Sequence, residues 1–414
     1  MAVRNLPVSR QLNLDWILHP VITSDFLGSD WETRPLLVAR DDIDYFASLP
    51  GLNEVEELIA ATCGGNSPTR ADMRIIRSDR GERPSELDAQ LHGNGTPDIQ
   101  AIYRAYQNGY SVVINGLHRT SAAIADLSRN LEGVLHHRVG VNLYLTPRRG
   151  QGFAPHVDTH DVFILQLHGV KHWRVGTPSK DLPLPGAERR PVELVDCSDF
   201  TLNPGDVLYL PRGFPHEAIT SDSSSLHLTV GIHAYRWVDF MIEAFGVMAG
   251  NDVRLRGALP PGFLDGPFET QRISDILESF TSAVQDGALA EQVKARIGDK
   301  LFKEGKAAGS GHFRSLDSIQ SLNSESLVFR TPSLFCKVRS TSGESRIEFA
   351  TNFVAGPEYL DPTFNFIAEH HKFAVHEIPG MLSAQEKLDL VIRLVGEGLL
   401  QITPETEEVA DGRR

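Results

Sequence analysis

Between residues 138 and 233 the chain reads as short apolar runs punctuated by Pro, Gly and Asp: RVGVNLYLT, DVFILQL, KHWRVGT, PVELVD, DVLYLP and SLHLTVGIH. β-Branched and aromatic residues dominate these runs and turn residues bound them, which predicts strands. Several are apolar at consecutive positions rather than alternating, as strands covered on both faces are. Six such runs predict a β-sandwich or barrel.

The flanks follow a different period. Helices are predicted over 98–108 (DIQAIYRAYQN) and 121–135, the latter with Ile124, Leu127, Leu131 and Val134 on one face. Residues 1–60 mix short helical and extended patterns, while 63–99 are polar and rich in Gly, Pro, Arg and Asp, predicting long loops. After Ile232 the pattern turns helical over 237–249 and 274–302, and the Gly/Ser/Lys-rich stretch 304–327 reads as a linker. The tail opens with the extended runs SLVFRT, LFCKVRS and RIEFATNF. It closes with a helix that starts in a capping box, SAQE (383–386), and continues through Leu388, Val391, Ile392, Val395 and Leu399. Strands followed by an amphipathic helix predict a winged-helix-like module.

Bulk properties narrow the function. Within 414 residues 41% are hydrophobic, enough for at least one substantial core, and the formal net charge is −14. That charge argues against a nucleic-acid binder and suits solubility or a basic partner. The acid-rich final helix and its sequel (EGLLQITPETEEVADG) oppose a DNA-binding role for the tail. Three widely spaced cysteines, Cys63, Cys197 and Cys336, exclude a disulfide framework and a CxxC zinc site and fit a reducing compartment. MAVRNLPVSRQLNLDW lacks an apolar signal core and no run reaches membrane-spanning length. The expectation is a cytoplasmic protein with no membrane contact.

The candidate chemistry begins at APHVDTHDVF (154–163). On a strand, residues i and i+2 point the same way, so His156 and Asp158 can converge on one ion. Two ligands are not a site, and HxD by itself is more often structural. GDVLYLPRGFPH (205–216) supplies a third: a glycine turn, a short apolar strand, a Pro-x-Gly turn and His216. This stretch is similar to the second cupin motif, G-x5-P-x-G-x2-H, from Gly205 through Pro211 and Gly213 to His216. Thr220 stands where that motif ends in asparagine, and the first motif reads HxD rather than HxH with a later glutamate. Two histidines and one carboxylate match the facial triad of non-haem Fe(II) oxygenases, which leaves three open positions; by ligand type Mn, Zn or Ni also fit.

An oxygenase using 2-oxoglutarate needs an anchor for the far carboxylate, and Lys171 is the candidate. A hairpin turning at His168 and Gly169 would set Lys171 opposite Gln166, which shares the parity of Asp158. An unbroken strand of eight residues would put Gln166 about 26 Å from Asp158. The chain is therefore expected to bend near Thr159 and His160.

Residues 25–40 and 110–233 resemble the JmjC-type 2-oxoglutarate oxygenases, within the ribosomal oxygenase group. In that group, as here, a basic residue follows the first metal histidine by fifteen positions, and Asn142 and Tyr144 in GVNLYLTP match polar positions beside the cosubstrate. Gly231 departs from relatives that carry serine there. The resemblance implies an α+β chain with a double-stranded β-helix (jelly-roll) core over 1–235. A helical dimerisation region over 236–303, the linker 304–327 and the winged-helix-like domain 328–414 would follow. It further implies Fe(II) held by His156, Asp158 and His216, 2-oxoglutarate and O2 as cosubstrates, a homodimer, and hydroxylation of an arginine or histidine side chain of a basic ribosomal protein. Two alternatives stand beside this reading. One is the same chemistry on a ribosomally made peptide or small metabolite; the other is a non-catalytic cupin used for binding. His160 is expected at the bend or lining the substrate entrance. His118, His136, His137, His168, His172, His227 and His233 are read as structural, Trp173 as core, and Arg148 and Arg149 as either a solvated loop or an edge of the active site.

Overall fold

The computed structural model describes residues 12–402 except 64–71, 79–84, 88–90, 93–95, 179, 186–191, 267–269, 305–310, 332–333 and 351. The chain divides into two compact units, one running to Ala234 and the other starting at Tyr235.

The first unit holds the strands β1 (Leu36–Val38), β2 (Met73–Arg77), β3 (Ser85–Leu87), β4 (Ser111–Ile114), β5 (Arg138–Thr146), β6 (His156–Val157), β7 (Asp161–His168), β8 (Lys171–Val175), β9 (Ser198–Leu202), β10 (Val207–Leu210), β11 (Pro215–Thr220) and β12 (Ser225–His233). Eight form one sheet in the order β1-β10-β7-β12-β5-β4-β2-β3, and four form a second in the order β6-β11-β8-β9. Every pairing is antiparallel. From β5 onward the chain passes back and forth between the sheets, the winding of a cupin-type double-stranded β-helix.

Period two decides what each strand shows to either side. Along β12, Leu226, Leu228, Val230 and Ile232 join the main core with Val139, Val141 and Leu143 of β5 and with Ile17, Phe26, Leu127 and Leu131 from helices. Each such side chain contributes about 1.5–3 kcal/mol on burial. The opposite parity faces the small sheet. There Val162 and Ile164 of β7 and Leu208 and Leu210 of β10 pack on Trp173, Val175 and Leu202. Being covered on both faces explains the consecutive apolar residues of these strands.

Helices over Ile99–Gln107 and Ala122–Leu135 lie where the period places them, although Val134 is half exposed. Four expectations are corrected. The described part of PVELVD, residues 192–196, forms no strand, and the next segment, β9, pairs with β8 instead, setting Phe200 across from Trp173. The loop-like stretch 63–99 contributes β2 and β3, whose Met73, Ile75 and Ile76 are buried. The helix expected over 274–302 breaks at Gly287, which takes a left-handed φ of 76°, leaving Thr270–Gln285 and Ala288–Glu304. The β7–β8 hairpin does not form, because the chain leaves the large sheet at His168 and enters the small one at Lys171.

In the second unit, Ala244 and Met248 of the helix Trp237–Asn251 pack on Leu289 and Val293 of Ala288–Glu304. A short helix, His312–Asp317, stands within the stretch read as linker. Strand Leu327–Arg330 lies between Lys372–Ala374 and Leu400–Ile402, and Cys336–Thr341, Glu344–Phe349 and Asn352–Pro357 form a meander. The helix Ala384–Gly396 opens on the expected capping box, the Ser383 amide donating to Glu386 Oε2 at 2.8 Å. No helix among the described residues is long and apolar enough to cross a membrane.

Candidate active site

His156 and His216 are direct cross-strand partners on β6 and β11, with ring centres 4.4 Å apart. Asp158 follows β6, and its backbone carbonyl accepts the Gly213 amide at 3.0 Å. That bond ties the segment bearing two candidates to the turn that leads to the third. His156 Nε2 lies 4.0 Å from Asp158 Oδ1, and His216 Nε2 lies 3.7 Å from Asp158 Oδ2. One donor atom from each residue falls within 4.8 Å of the others, the only such grouping of His, Cys, Asp or Glu among the described residues.

Tautomers follow from the backbone. His156 Nδ1 meets the Ala154 carbonyl at 2.9 Å and His216 Nδ1 meets the Phe214 carbonyl at 3.0 Å. A carbonyl only accepts, so each Nδ1 carries the proton and donates, leaving each Nε2 with a free lone pair. Burial, and then the neighbouring His156, push the His216 pKa down to about 4. Its ring is therefore neutral near pH 7, the form that binds metal. Two imidazole nitrogens and one carboxylate, oriented in this way, fit an Fe(II) ion.

Lys171 begins β8, whose alternation sends Lys171, Trp173 and Val175 inward and His172 and Arg174 outward. Its inward orientation thus comes from β8 itself rather than from a hairpin with β7. The ammonium is buried, donates to Thr146 Oγ1 at 3.1 Å and lies over the Trp173 ring at 5.8 Å. No carboxylate among the described residues pairs with it, and burial alone lowers its pKa to about 7. A buried cation without a counter-ion is costly unless an anion arrives.

Asn142, Tyr144 and Thr146 share one face of β5. Tyr144 stacks on His227 with ring centres 4.9 Å apart, and burial followed by the charge of Asp158 raises its pKa to about 12. Asn142 Oδ1 accepts the Gly116 amide at 2.9 Å. The sequence reading missed Thr146 and His227 as parts of this pocket, although parity with Tyr144 marks Thr146 and the register of β12 sets His227 across from Tyr144. His227 is buried against Trp173 as well, and burial and then Lys171 hold its pKa well below the ordinary value.

The bend falls at Thr159 and His160, where the chain passes from the small sheet to the large. The His160 ring stacks on His233 at 4.8 Å and fills the space over Gly231, where an added Cβ would lie 2.6 Å from it. His118 instead accepts the Val141 amide at 3.2 Å, and His172 contacts Thr201 at 3.0 Å. His137 stacks on Trp31, His136 caps a helix in the left-handed region, and His168 is exposed at the end of β7. Arg148 is exposed, and Arg149 pairs with Asp222 in solvent. Both therefore read as loop residues.

A JmjC domain matches residues 118–240. Ribosomal oxygenase 1 of Danio rerio is 26% identical over 93% of this chain and 78% of its own length. Along most of its length the chain is thus similar to a ribosomal oxygenase. Ribosomal oxygenase 2 of Mus musculus is 29% identical over 68% of this chain and 60% of its own length. The bifunctional lysine-specific demethylase and histidyl-hydroxylase NO66 of Culex quinquefasciatus is 28% identical over 70% of this chain, which spans 46% of that relative. In fold, the JmjC domain and its continuation resemble the Escherichia coli ycfD structure, with a TM-score of 0.57 at 17% identity, covering 92% of this chain and 98% of that one. A structure of the same protein in complex with cobalt and 2-oxoglutarate gives a TM-score of 0.54 at 17% identity, covering 93% and 99%.

Proposed function

We propose that this chain is an Fe(II)- and 2-oxoglutarate-dependent hydroxylase that acts on an arginine or histidine side chain of a ribosomal protein. The observation that carries the chemistry is the buried Lys171 ammonium, without a carboxylate partner among the described residues, in the same β-helix as the His156, Asp158 and His216 cluster. The ribosomal substrate follows from the relatives, named as ribosomal oxygenases and, for NO66, a histidyl-hydroxylase.

In this reading His156, Asp158 and His216 hold the iron, which when bound supplies the coupling of 2-oxoglutarate decarboxylation to insertion of one oxygen into a substrate C–H bond. Lys171 takes the distal carboxylate of 2-oxoglutarate in a charge-assisted contact, with Thr146 holding the ammonium in place. Tyr144, on the parity of Thr146 and kept protonated by burial, is a hydroxyl donor for the cosubstrate. Asn142, two residues before Tyr144 on the same face of β5, is held in place by the Gly116 amide. The apolar layer of Val162, Ile164 and Trp173 keeps water out of the space between the sheets.

The net charge of −14 suits a basic protein substrate through complementary fields. A homodimer through 236–303 is supported by the exposed Trp237, Met241 and Ile242 of its first helix. A protein-binding, winged-helix-like role is the matching reading for 328–414. Light scattering that returns a monomer would remove the dimer. The main test compares intact masses of ribosomal proteins from wild-type and deletion strains. A gain of one oxygen atom on one of them, lost in the deletion, is expected; identical masses throughout would overturn the ribosomal substrate. Absence of succinate formation from 2-oxoglutarate with Fe(II) would overturn the enzyme.

A further inference from the structure

The stretch DWETRP, residues 30–35, reaches the active-site loops through a polar cluster in which Asp161 and Arg212 are buried and Glu32 is partly exposed. Asp161, fully buried, begins β7 just after the bend, three residues beyond Asp158. Arg212, also buried, precedes Gly213 in the turn leading to His216. The Arg212 backbone amide donates to Asp161 Oδ1 at 3.1 Å, and its Nη1 donates to Asp161 Oδ2 at 2.7 Å. The same Nη1 donates to a Glu32 carboxylate oxygen. Tyr209 closes the ring, accepting the Glu32 amide at 2.9 Å and donating to Asp161 Oδ1 at 3.3 Å. Trp31 and Phe26 pack on the Tyr209 ring at 5.9 and 4.8 Å. Glu32 itself sits at φ 57°, a left-handed backbone that a residue other than glycine adopts only where its surroundings hold it.

Burying charge in this way is a poor route to stability alone, since apolar side chains of similar volume do as well or better. What directional, charge-assisted bonds supply is fixed geometry. The Asp161–Arg212 pair joins the bend after Asp158 to the turn before His216. The Gly213 to Asp158 bond joins the same two segments at the backbone. Glu32 then ties both to the N-terminal segment. We propose that Glu32, Arg212 and Asp161 are positioning residues for the metal triad, so that a residue more than a hundred positions before the ligands sets how tightly the ion is held. This rests on the reading of His156, Asp158 and His216 as a metal centre.

The test uses the full chain, stripped of metal and titrated with Co(II), followed by visible absorption and calorimetry, at a temperature where circular dichroism shows each variant folded. Glu32→Gln and Asp161→Asn are expected to bind Co(II) about ten- to a hundredfold more weakly, as is usual when groups supporting metal ligands are altered. Their Co(II) absorption bands should also shift. Arg212→Lys, which keeps the charge and loses the fork, should fall between them and the wild type. Wild-type affinity and an unchanged spectrum in Glu32→Gln and Asp161→Asn, whatever their melting temperatures, overturn the proposal. A wild-type chain that binds no Co(II), or binds it equally well as His156→Ala, instead defeats the metal reading on which it stands.

Discussion

Lys171 of the small sheet reaches across the β-helix to Thr146 of the large one, Nζ to Oγ1 at 3.1 Å. This contact spans the two layers, and on the proposed reading an anion would sit beside it.

Replacing the ammonium removes the anion partner while leaving the pocket shape nearly intact. Lys171→Met should raise the KM for 2-oxoglutarate about ten- to a hundredfold, since hydrogen bonds to charged groups contribute about 1.5–3 kcal/mol. Co(II) affinity should stay as in the wild type. The ligand-free variant should melt no lower than the wild type, because a buried unpaired charge is gone. Steady-state kinetics and differential scanning calorimetry check both halves; an unchanged KM would refute the anchor.

The lowered Lys171 pKa makes binding and stability depend on pH in opposite directions. Its folded value is about 7, below the value of about 10.4 for a free lysine. Between those values the unfolded chain binds the proton that the folded chain has released, so this group makes the ligand-free protein more stable as pH rises. Lys171→Met should abolish that increment in urea titrations. Dicarboxylate binding needs the ammonium, so above pH ~7 it takes up a proton and weakens by up to about tenfold per pH unit. Calorimetry at pH 8 in buffers of different ionisation enthalpy should detect the uptake, and finding none would contradict this account.

Removing one candidate ligand should separate metal loss from unfolding. Asp158→Ala is expected to lose Co(II) binding and succinate production while retaining its circular dichroism spectrum. The side chain is partly exposed, and the Asp158 backbone carbonyl, which the substitution keeps, accepts the Gly213 amide. Retained turnover would show that the carboxylate is not a ligand.

Gly231 and His160 should behave as a coupled pair. Gly231→Ser places a Cβ 2.6 Å from the His160 ring, which must swing off His233, at a cost of about 1–3 kcal/mol typical of overpacking. The KM for the protein substrate should rise more than that for 2-oxoglutarate. Adding His160→Ala relieves the clash, so a double-mutant cycle should give a coupling of about 0.5–3 kcal/mol. Additive effects would mean that the ring does not depend on the glycine.

The helix cap offers a local check. Ser383→Ala removes the Oγ that accepts the Glu386 amide at 3.3 Å, and should cost about 1 kcal/mol of stability in thermal melts without altering turnover.

Much of this was legible in the residues alone. Period two fixes which side of a strand each residue faces, so RVGVNLYLT and SLHLTVGIH declare their core and pocket faces before any pairing is known. The spacing of His156 to Asp158 and the turn chemistry of GDVLYLPRGFPH likewise nominated three residues that the fold brings within 4.8 Å. Arithmetic on strand length required the bend at Thr159 and His160. Which strand lies beside which is another matter, because pairing is chosen by burial over long sequence distances. Hence β8 joins β9 and β11 rather than hairpinning with β7, and PVELVD gives up its place to SDFTL, whose Phe200 can pack across from Trp173. Only the tertiary structure sets Glu32 against Arg212, 180 residues apart, lays His160 over Gly231, and buries Lys171 with no carboxylate partner among the described residues. No local pattern encodes these, since each depends on two segments meeting in space.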